Sequence, residues 1–378
     1  AHIPECVTIH QPDAETLRVI RDYAMRGGYC HSVRAYVGPV WKYDINQAYA
    51  AAMRDAKLPA GRAYRAAGLN RFASVYFVRI TARKRNNPVP FYSKTMIDGR
   101  VRAVFERDVI RDTWITSIEY DQLKREGWQI ETSESVFFDE SFSMREYVNK
   151  LERLRTTCEG GPSGAIGTMV KAVGNHSYGK TVEQLDPLEL VIASECPEGF
   201  AEFFSDEMDD AFFSHVWYRL PNRDEMNEES ESLSRAYHQP QIGSFITAHV
   251  RMVVRRAALV APDAWIYADT DCVVFTRDVT DSLDVDPKRY GAWKLEAAAQ
   301  PYRFITKKVY TSLDGSTVHA KGLNVRNRKN EALITQADFE QWFNGKPPTQ
   351  KQVQRNNFLK VMKGDDMFAE RTRKGTRV

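Results

Sequence analysis

Two aspartates separated by a single residue stand inside an apolar stretch of the chain. Asp269 and Asp271 belong to the run Y-A-D-T-D, and residues such as Trp265 and Val273 flank it on either side. Strand-forming flanks would bury both charges, and buried carboxylates need a counter-ion. A divalent cation bound by carboxylate oxygens would serve, although the same pair would also suit a polar hairpin turn. The run therefore predicts either a metal site or a turn between two strands.

A further isolated acid, Asp44, occurs in the segment W-K-Y-D-I-N-Q-A-Y. It follows strand-like residues and precedes the helical run A-Y-A-A-A-M. A site that holds two divalent ions needs acids from at least two separate strands. Asp44, Asp269 and Asp271 are therefore candidate metal-binding residues as a set.

The segment K-A-V-G-N-H-S-Y-G-K carries the third group of candidate residues. Lys171, Asn175 and Tyr178 are spaced so that a cation, an amide and an aromatic ring share one helix face. Such a face suits a nucleotide, with lysine for the phosphates, the ring for the base and Gly179 allowing close approach. The alternative is an ordinary amphipathic helix with a solvated lysine.

Hydrophobic spacing predicts the elements that position these residues. An alternating run from Ser74 predicts a strand, and the run from Ala264 to Phe275 predicts a strand pair with polar residues at its turn. The stretch E-G-G-P-S-G separates two sets of apolar residues with helical spacing, which together predict an antiparallel helical hairpin. These sets are Met144, Val148, Leu151 and Leu154, then Ile166, Met169, Val170 and Val173.

Length and composition limit the class of protein. The 378 residues favour about 2.5 domains at roughly 150 residues each, and 43% hydrophobic with 27% charged residues indicate a globular chain. No apolar run approaches the roughly 18 residues that span a bilayer, so we expect no membrane association and a cytoplasmic location. The 5 cysteines are widely spaced without a Cys-x-x-Cys pair, which argues against a disulfide framework or a zinc site.

Charge is unevenly distributed. Residues 201–232 hold ten acidic side chains against two arginines, whereas residues 345–378 hold nine basic side chains against three acidic ones. The basic end would suit a polyanion, although a solvated tail would have the same composition.

The motifs, taken in order, resemble those of the family B DNA polymerases, most closely the protein-primed group of small phages and linear plasmids. D-I-N-Q-A-Y resembles the first palm motif, K-A-V-G-N-H-S-Y-G the finger motif and Y-A-D-T-D the second palm motif. R-G-G, G-S-F-I-T-A-H-V-R, G-A-W-K-L-E and K-V-Y are further matches. The resemblance covers roughly residues 21–335.

Five positions depart from the family pattern without removing a metal-binding acid. The family usually has Ser, Pro, Ser, Ser and Tyr, in that order, at the positions of Gln47, Ala50, His176, Cys272 and Met25. These departures bear on nucleotide affinity and on linker contacts with template. One residue separates the aspartates of the second palm motif, unlike the adjacent pair of reverse transcriptases.

The resemblance implies a two-ion site. Asp44 and Asp271 would be ligands of two Mg²⁺ ions, with Mn²⁺ as an alternative, Asp269 would be a supporting acid and the carbonyl of Ile45 an extra ligand. One ion would lower the pKa of a primer 3′-hydroxyl, and the other would neutralise the triphosphate and the leaving pyrophosphate.

It also implies roles in binding nucleotide and DNA. Tyr49 resembles the steric gate that clashes with a 2′-hydroxyl, and Arg155 and Lys171 would grip the phosphates beside Asn175 and Tyr178. The residues implied for primer and DNA contacts are Gly27, Gly28, Gly179, Lys308 and Tyr310.

The fold class expected from the resemblance is α+β, a right-hand polymerase fold with an antiparallel palm sheet plus helices, helical-hairpin fingers and a small thumb. The expected domains are a connector (1–20), the first part of the palm with the linker motif and an insertion (21–141), fingers (142–182), an acidic insertion (183–240), the second part of the palm (241–335) and a thumb (336–378). The first insertion would bind a terminal protein, and the acidic second insertion would do the same or would instead meet another basic partner or shield a sheet edge. Little chain precedes the linker motif, so we expect no proofreading, although Asp13-Ala14-Glu15 has an Asp-x-Glu form.

The sequence therefore predicts a template-directed DNA polymerase whose partners are primer-template DNA, dNTPs and a terminal or priming protein. Two alternatives stay open at this point. One is a polymerase-primase that starts chains itself, and the other is a non-catalytic nucleic-acid-binding relic of a polymerase.

Overall fold

The structure is a computed structural model that describes residues 7–97, 100–182, 189–192, 201–202, 216–219, 238–327, 330–355 and 368–376. The chain divides into two compact units. The first comprises Ala1–Val182 and Tyr237–His319 with Val378, and the second comprises Glu183–Ala236 and Ala320–Arg377. All of the motifs that carry the predicted acids lie in the first unit.

Strands and helices alternate irregularly along the described chain. The strands are β1 Tyr29–Ser32, β2 Tyr36–Ile45, β3 Leu58–Ala67, β4 Tyr76–Arg83, β5 Phe91–Ile97, β6 Arg100–Glu106, β7 Val109–Thr116, β8 Gln129–Phe142, β9 Glu189–Ile192, β10 Ala201–Glu202, β11 Val216–Arg219, β12 Trp265–Thr270, β13 Cys272–Phe275, β14 Trp293–Thr306, β15 Val309–Ser312, β16 Val318–Ala320, β17 Thr349–Arg355 and β18 Phe368–Lys374. The helices are α1 Ala14–Arg18, α2 Ala48–Asp55, α3 Ser117–Arg125, α4 Arg145–Thr157, α5 Ala165–Thr181, α6 Pro240–Val260 and α7 Gln336–Phe343. A π-helical stretch, Val19–Ala24, continues α1.

A seven-stranded sheet in the order β1-β12-β13-β2-β14-β15-β16 carries the acidic motifs. The hairpin β12-β13 confirms the predicted strand pair, and the pairings from β1 through β15 are antiparallel. Its apolar positions are buried, with Tyr43, Ile266 and Val273 among them. This burial fixes the register of β2 against β13, since a one-residue slip would bring polar positions into the core.

A second sheet, ordered β3-β8-β4-β7, and the ribbon β5-β6 follow in the same unit. Strand β4 confirms the strand predicted from Ser74. Helix α3 begins at a capping box in which Thr116 and Glu119 exchange side-chain and backbone hydrogen bonds.

Helices α4 and α5 confirm the predicted helical hairpin. The chain turns at Gly160 and Gly161, whose φ angles of 77° and 61° favour glycine. A Cβ on Gly167 would lie 2.3 Å from the carbonyl oxygen of Gly161, so the second arm starts in close contact with the turn. Met169 and Val173, two of the apolar residues with helical spacing, are exposed on α5.

Helix α6 is the most buried helix of the first unit. Its residues Phe245, Ile246 and Val254 are fully buried, and the helix packs against α2, α3 and the β12-β13 hairpin. The motif G-S-F-I-T-A-H-V-R forms its first half. Within the described segments, no helix is long and apolar enough to cross a membrane.

The N-terminal segment expected to be a connector contains a short helix. Asp13 is the N-cap of α1 and accepts a hydrogen bond from the backbone N–H of Thr16 at 2.9 Å. This capping role accounts for Asp13 in the Asp-x-Glu run without any catalytic site.

In the second unit, β17 and β18 form an antiparallel pair, and β10, β11 and β9 form a small sheet. Trp342 on α7 is fully buried, its indole N–H donates to the carbonyl of Thr376 at 2.7 Å, and Gly375 packs on its ring. Most of the acidic stretch 201–232 lies outside the described residues. The domain boundaries drawn from the sequence stay predictions.

Candidate functional site

The central sheet brings Asp44 next to the Y-A-D-T-D turn. In the register of β2 and β13, Asp44 lies opposite Cys272, and on its other side it lies opposite Lys294 of β14. The backbone N–H of Ile45 donates to the carbonyl of Asp271 at 2.8 Å. Two motifs that are far apart in the sequence are thus joined by adjacent strands.

Asp44 and Asp271 form a coupled acidic pair. Burial raises the pKa of Asp44 to about 7, and the negative charges of Asp271 and Glu296 add to the effect. Burial also raises the pKa of Asp271, with Asp269 and Glu296 contributing. Both carboxyl groups are therefore held in surroundings that disfavour their charged forms.

This pair fits the divalent ions that the resemblance implies, because a cation between two half-buried carboxylates would offset both desolvation and repulsion. No preformed cluster of three or more His, Cys, Asp or Glu occurs among the residues that the structure describes. The fit therefore rests on the donor chemistry of the Asp44–Asp271 pair.

Asp269 differs from that pair because it is already compensated. Its carboxylate accepts hydrogen bonds from the hydroxyls of Tyr267 and Thr270, each at 3.2 Å, and lies 3.1 Å from the ammonium of Lys308. The two aspartates of Y-A-D-T-D thus lie in different surroundings: Asp269 has a lysine counter-ion, whereas burial raises the pKa of Asp271.

The turn between them has a strained backbone. Thr270 has a φ of 61°, in the left-handed region that β-branched residues rarely adopt. The N–H of Asp271 donates to the carbonyl of Asp269 at 2.7 Å. Such conformations cost about 1–3 kcal/mol and persist where the surroundings hold them.

The R-G-G segment lies against this turn. A Cβ on Gly28 would stand 2.7 Å from both Cγ2 and Oγ1 of Thr270 and 2.9 Å from its Cα. A Cβ on Gly27 would have no atom of the described residues within 4 Å, its neighbours in the chain left aside. Of the two glycines, Gly28 is therefore the one that a close backbone approach requires.

Tyr49 and Tyr178 meet face to face. Their ring centroids are 4.2 Å apart at an interplanar angle of 7°. Burial is the main reason that the pKa of each phenol is raised, and the negative charge of Asp271 also contributes at Tyr49. The structure thus brings the first palm motif and the finger motif together beside the acidic pair.

The remaining finger residues lie on the hairpin. Lys171 and Asn175 are exposed on α5. Arg155 on α4 has a buried Nε without a hydrogen-bond partner in the described part of the chain. His176, one of the departures, bonds through Nδ1 to the carbonyl of Ala172 on its own helix at 2.7 Å.

The K-V-Y residues also lie beside the turn. Lys308 has a φ of 59° and donates its backbone N–H to the hydroxyl of Tyr267 at 3.3 Å. The ring of Tyr310 packs edge-on against Tyr267, with centroids 5.4 Å apart, and stacks on His319 at 4.5 Å.

Sequence reasoning missed several charged residues around the site. Lys42, two positions before Asp44 on the same strand, pairs with Glu296 at 2.7 Å. Strand alternation could have identified Lys42, and the G-A-W-K-L-E match contains Glu296. The fully buried Arg251 is the last residue of the G-S-F-I-T-A-H-V-R match, whereas the fully buried Glu119 gave no sequence signal.

Comparison with known proteins bears on the identity of the chain. The family described as DNA polymerase type B, organellar and viral, matches residues 4–253, which is more than half of the chain. This chain belongs to that family. None of the curated proteins matches it.

Solved structures of phi29 DNA polymerase share the fold of this type B chain. The complex with primer-template DNA and incoming nucleotide aligns with a TM-score of 0.67 at 18% identity, covering 97% of this chain and 64% of that one. The orthorhombic crystal form gives a TM-score of 0.65 at 19% identity, covering 92% and 62%. The chain thus spans less than two thirds of the phi29 chain. The predicted polymerase fold and the family resemblance are confirmed.

The contact between Gly28 and Thr270 yields a testable prediction. Gly28→Ala should lower the thermal unfolding midpoint by several degrees, because the added Cβ overlaps the backbone of Thr270 and such overpacking costs about 1–3 kcal/mol. Gly27→Ala, with open space at its Cβ, should stay within about 1 °C of the unmodified chain. Scanning calorimetry makes the comparison, and equal midpoints for the two variants would contradict the contact.

Proposed function

We propose that this chain catalyses template-directed DNA synthesis, adding dNTPs to a primer 3′-hydroxyl by two-metal nucleotidyl transfer. The coupled pair Asp44–Asp271 carries the proposal, because two half-buried acids on adjacent strands form a site that favours divalent cations. Membership in the type B polymerase family supports the same reaction. The fold shared with phi29 polymerase, solved with primer-template DNA and nucleotide, supports the substrates.

Asp44 and Asp271 would hold the ions, with the carbonyl of Ile45 and the carboxylate of Asp269 as further oxygen donors. When bound, Mg²⁺ or Mn²⁺ supplies charge that activates the 3′-hydroxyl and neutralises the triphosphate. Lys308, held beside Asp269 at 3.1 Å, places a cation where the primer terminus would lie. The ring of Tyr310 packs against Tyr267, and this contact would hold the side of the primer site next to Lys308.

The proposed nucleotide site lies between palm and fingers. Tyr49 would support the sugar with its ring face, so that a 2′-hydroxyl would clash with it. Lys171 and Arg155, on opposite arms of the hairpin, would neutralise phosphate charge, and Asn175 would lie beside them. The stack of Tyr49 on Tyr178 supports this placement, since it joins the two motifs at the acidic pair.

The second unit supplies the proposed thumb. Lys351 and Lys374 lie on one face of the β17-β18 pair, because Lys351 is opposite Thr372 and Thr349 is opposite Lys374. Arg371 and Arg373 lie on the other face, so both faces of the strand pair carry positive charge, which suits the phosphates of duplex DNA. A terminal or priming protein is the proposed partner of the insertions around 60–141 and 183–240. Dependence on such a protein would distinguish this chain from a polymerase-primase, which starts chains itself.

The acidic pair gives the most direct test of the reaction. Asp44→Asn or Asp271→Asn should lower Mg²⁺-dependent extension of a 5′-labelled primer on a template by at least roughly 10³-fold, because each removes several kcal/mol of transition-state charge stabilisation. Asp263→Asn is the control, since this exposed acid pairs with Arg277 at the surface. Extension by either palm variant at the rate of the control would rule out the assignment. An inactive unmodified chain that still binds DNA would instead favour the relic.

Sugar selection tests the role of Tyr49. Tyr49→Val should raise the ratio of ribonucleotide to deoxyribonucleotide incorporation while DNA synthesis persists, because the ring that would meet the 2′-hydroxyl is gone. Tyr49→Phe keeps the ring and should leave the ratio near that of the unmodified chain. Single-nucleotide addition with each dNTP and the matching rNTP measures the incorporation ratio. If Tyr49→Val leaves this ratio unchanged, Tyr49 is not the steric gate.

Salt dependence tests the proposed thumb. Lys351→Gln with Lys374→Gln should weaken binding to primer-template DNA and lower the slope of log affinity against log salt by about 0.9 for each lost phosphate contact. Lys57→Gln with Lys124→Gln makes the same change of two charges at exposed residues of the first unit that are not predicted to contact DNA, and should leave the slope nearly constant. Fluorescence anisotropy over a salt series gives both slopes. A Lys351→Gln, Lys374→Gln double variant with the slope of the control would mean that neither lysine contacts the phosphates of the DNA.

A further inference from the structure

Three charged side chains are completely buried behind the R-G-G segment. The carboxylate of Glu119 lies 2.6 Å from Nη2 of Arg26 and 2.9 Å from Nη2 of Arg251, and none of the three side chains is exposed to solvent. They come from helix α3, helix α6 and the segment that precedes β1. A buried network of this kind contributes little net stability, so its role is better sought in the groups that it holds in position.

Glu119 is the shared partner of the network. Its Oε1 accepts from Nε and Nη2 of Arg251, and its Oε2 accepts from Arg26 and from the backbone and side chain of Thr116 at the start of α3. Burial opposes ionisation of Glu119, but the two guanidinium groups outweigh it and hold its pKa below the ordinary value. Glu119 therefore remains an anion that orients both arginines.

Arg251 transmits this orientation to the backbone. Its Nη1 donates to the carbonyl of Arg26 at 2.6 Å and to that of Gly27 at 3.0 Å. The next residue, Gly28, packs directly on Thr270, whose left-handed conformation separates Asp269 from Asp271. A continuous series of contacts thus runs from Glu119 to the strained turn of the acidic site.

We infer that Glu119 is a positioning residue for nucleotide addition: through Arg251 it holds the Arg26–Gly28 backbone against Thr270 and so keeps the Asp269–Asp271 turn in its strained conformation. The inference rests on the proposed function for its effect on rate, and on contacts alone for its effect on the turn. Loss of the Glu119 charge would leave two buried guanidinium groups without a counter-ion and let the segment move. The turn would then be free to relax.

A matched ion pair between α6 and the residue that directly follows α3 has a different target. Arg255, one helical turn after Arg251, binds Glu126 at 2.7 Å and donates to the carbonyls of Val89 and Pro90. This second pair is also buried, but it holds the start of β5 instead of the R-G-G segment. It therefore controls for the general cost of breaking a buried ion pair between the end of α3 and α6.

The experiment compares Glu119→Gln with Glu126→Gln by hydrogen–deuterium exchange and by single-nucleotide addition at saturating dNTP and Mg²⁺. Glu119→Gln should speed exchange in residues 26–32 and 267–273 and lower the rate of addition by roughly 10- to 100-fold, because displacements on the order of 1 Å at a catalytic group have such effects. Glu126→Gln should speed exchange around residues 87–91 and lower the rate less than about threefold. Arg251→Lys and Arg255→Lys repeat the comparison with the positive charge retained, in case Glu119→Gln does not fold.

The two measurements separate the possible failures. Equal rate losses for the two pairs, or unchanged exchange at 267–273 in both Glu119→Gln and Arg251→Lys, would overturn the positioning role. An unmodified chain without polymerase activity would overturn the proposed function, while faster exchange at 267–273 in Glu119→Gln would still establish the mechanical link to the turn.

Discussion

The register of β2 between β13 and β14 is the constraint on which the site depends. It places Asp44 opposite Cys272 and joins Ile45 to Asp271 by a backbone hydrogen bond of 2.8 Å. The register is fixed because the apolar residues of these strands are buried. A shift by one residue would expose them to solvent, and this loss of buried apolar surface opposes any movement of the acids. The register therefore fixes Asp44 in the sheet and brings the turn that carries Asp271 next to it.

Charge compensation then divides the acids of the palm into different roles. Asp269 is paired with Lys308, and Glu296 with Lys42, so each has a counter-ion within the protein. Asp44 and Asp271 instead have raised pKa values, chiefly because of burial, with neighbouring negative charge adding to it. A divalent cation would restore the balance for this pair, which explains why the chain can hold two half-buried acids at adjoining positions of the sheet.

Some departures from the family pattern have a local physical explanation. Cys272 lies opposite Asp44 and is buried, and burial raises the pKa of its thiol, so it adds no charge to the site. His176 is turned back onto its own helix. Gln47 precedes α2 with a φ of 49° and makes no side-chain cap.

The sequence by itself determined the elements and the chemical types of the site. Strand alternation and helical spacing predicted β4, the β12-β13 hairpin and the α4-α5 hairpin, because these signals are local in the chain. Ordered motifs identified the family and selected Asp44, Asp269 and Asp271. Tertiary structure alone decided which acids couple to each other, that Tyr49 stacks on Tyr178, and that Glu119 reaches the R-G-G segment through Arg251. These contacts join residues far apart in the sequence, and their energies depend on burial and distance, which no local pattern records.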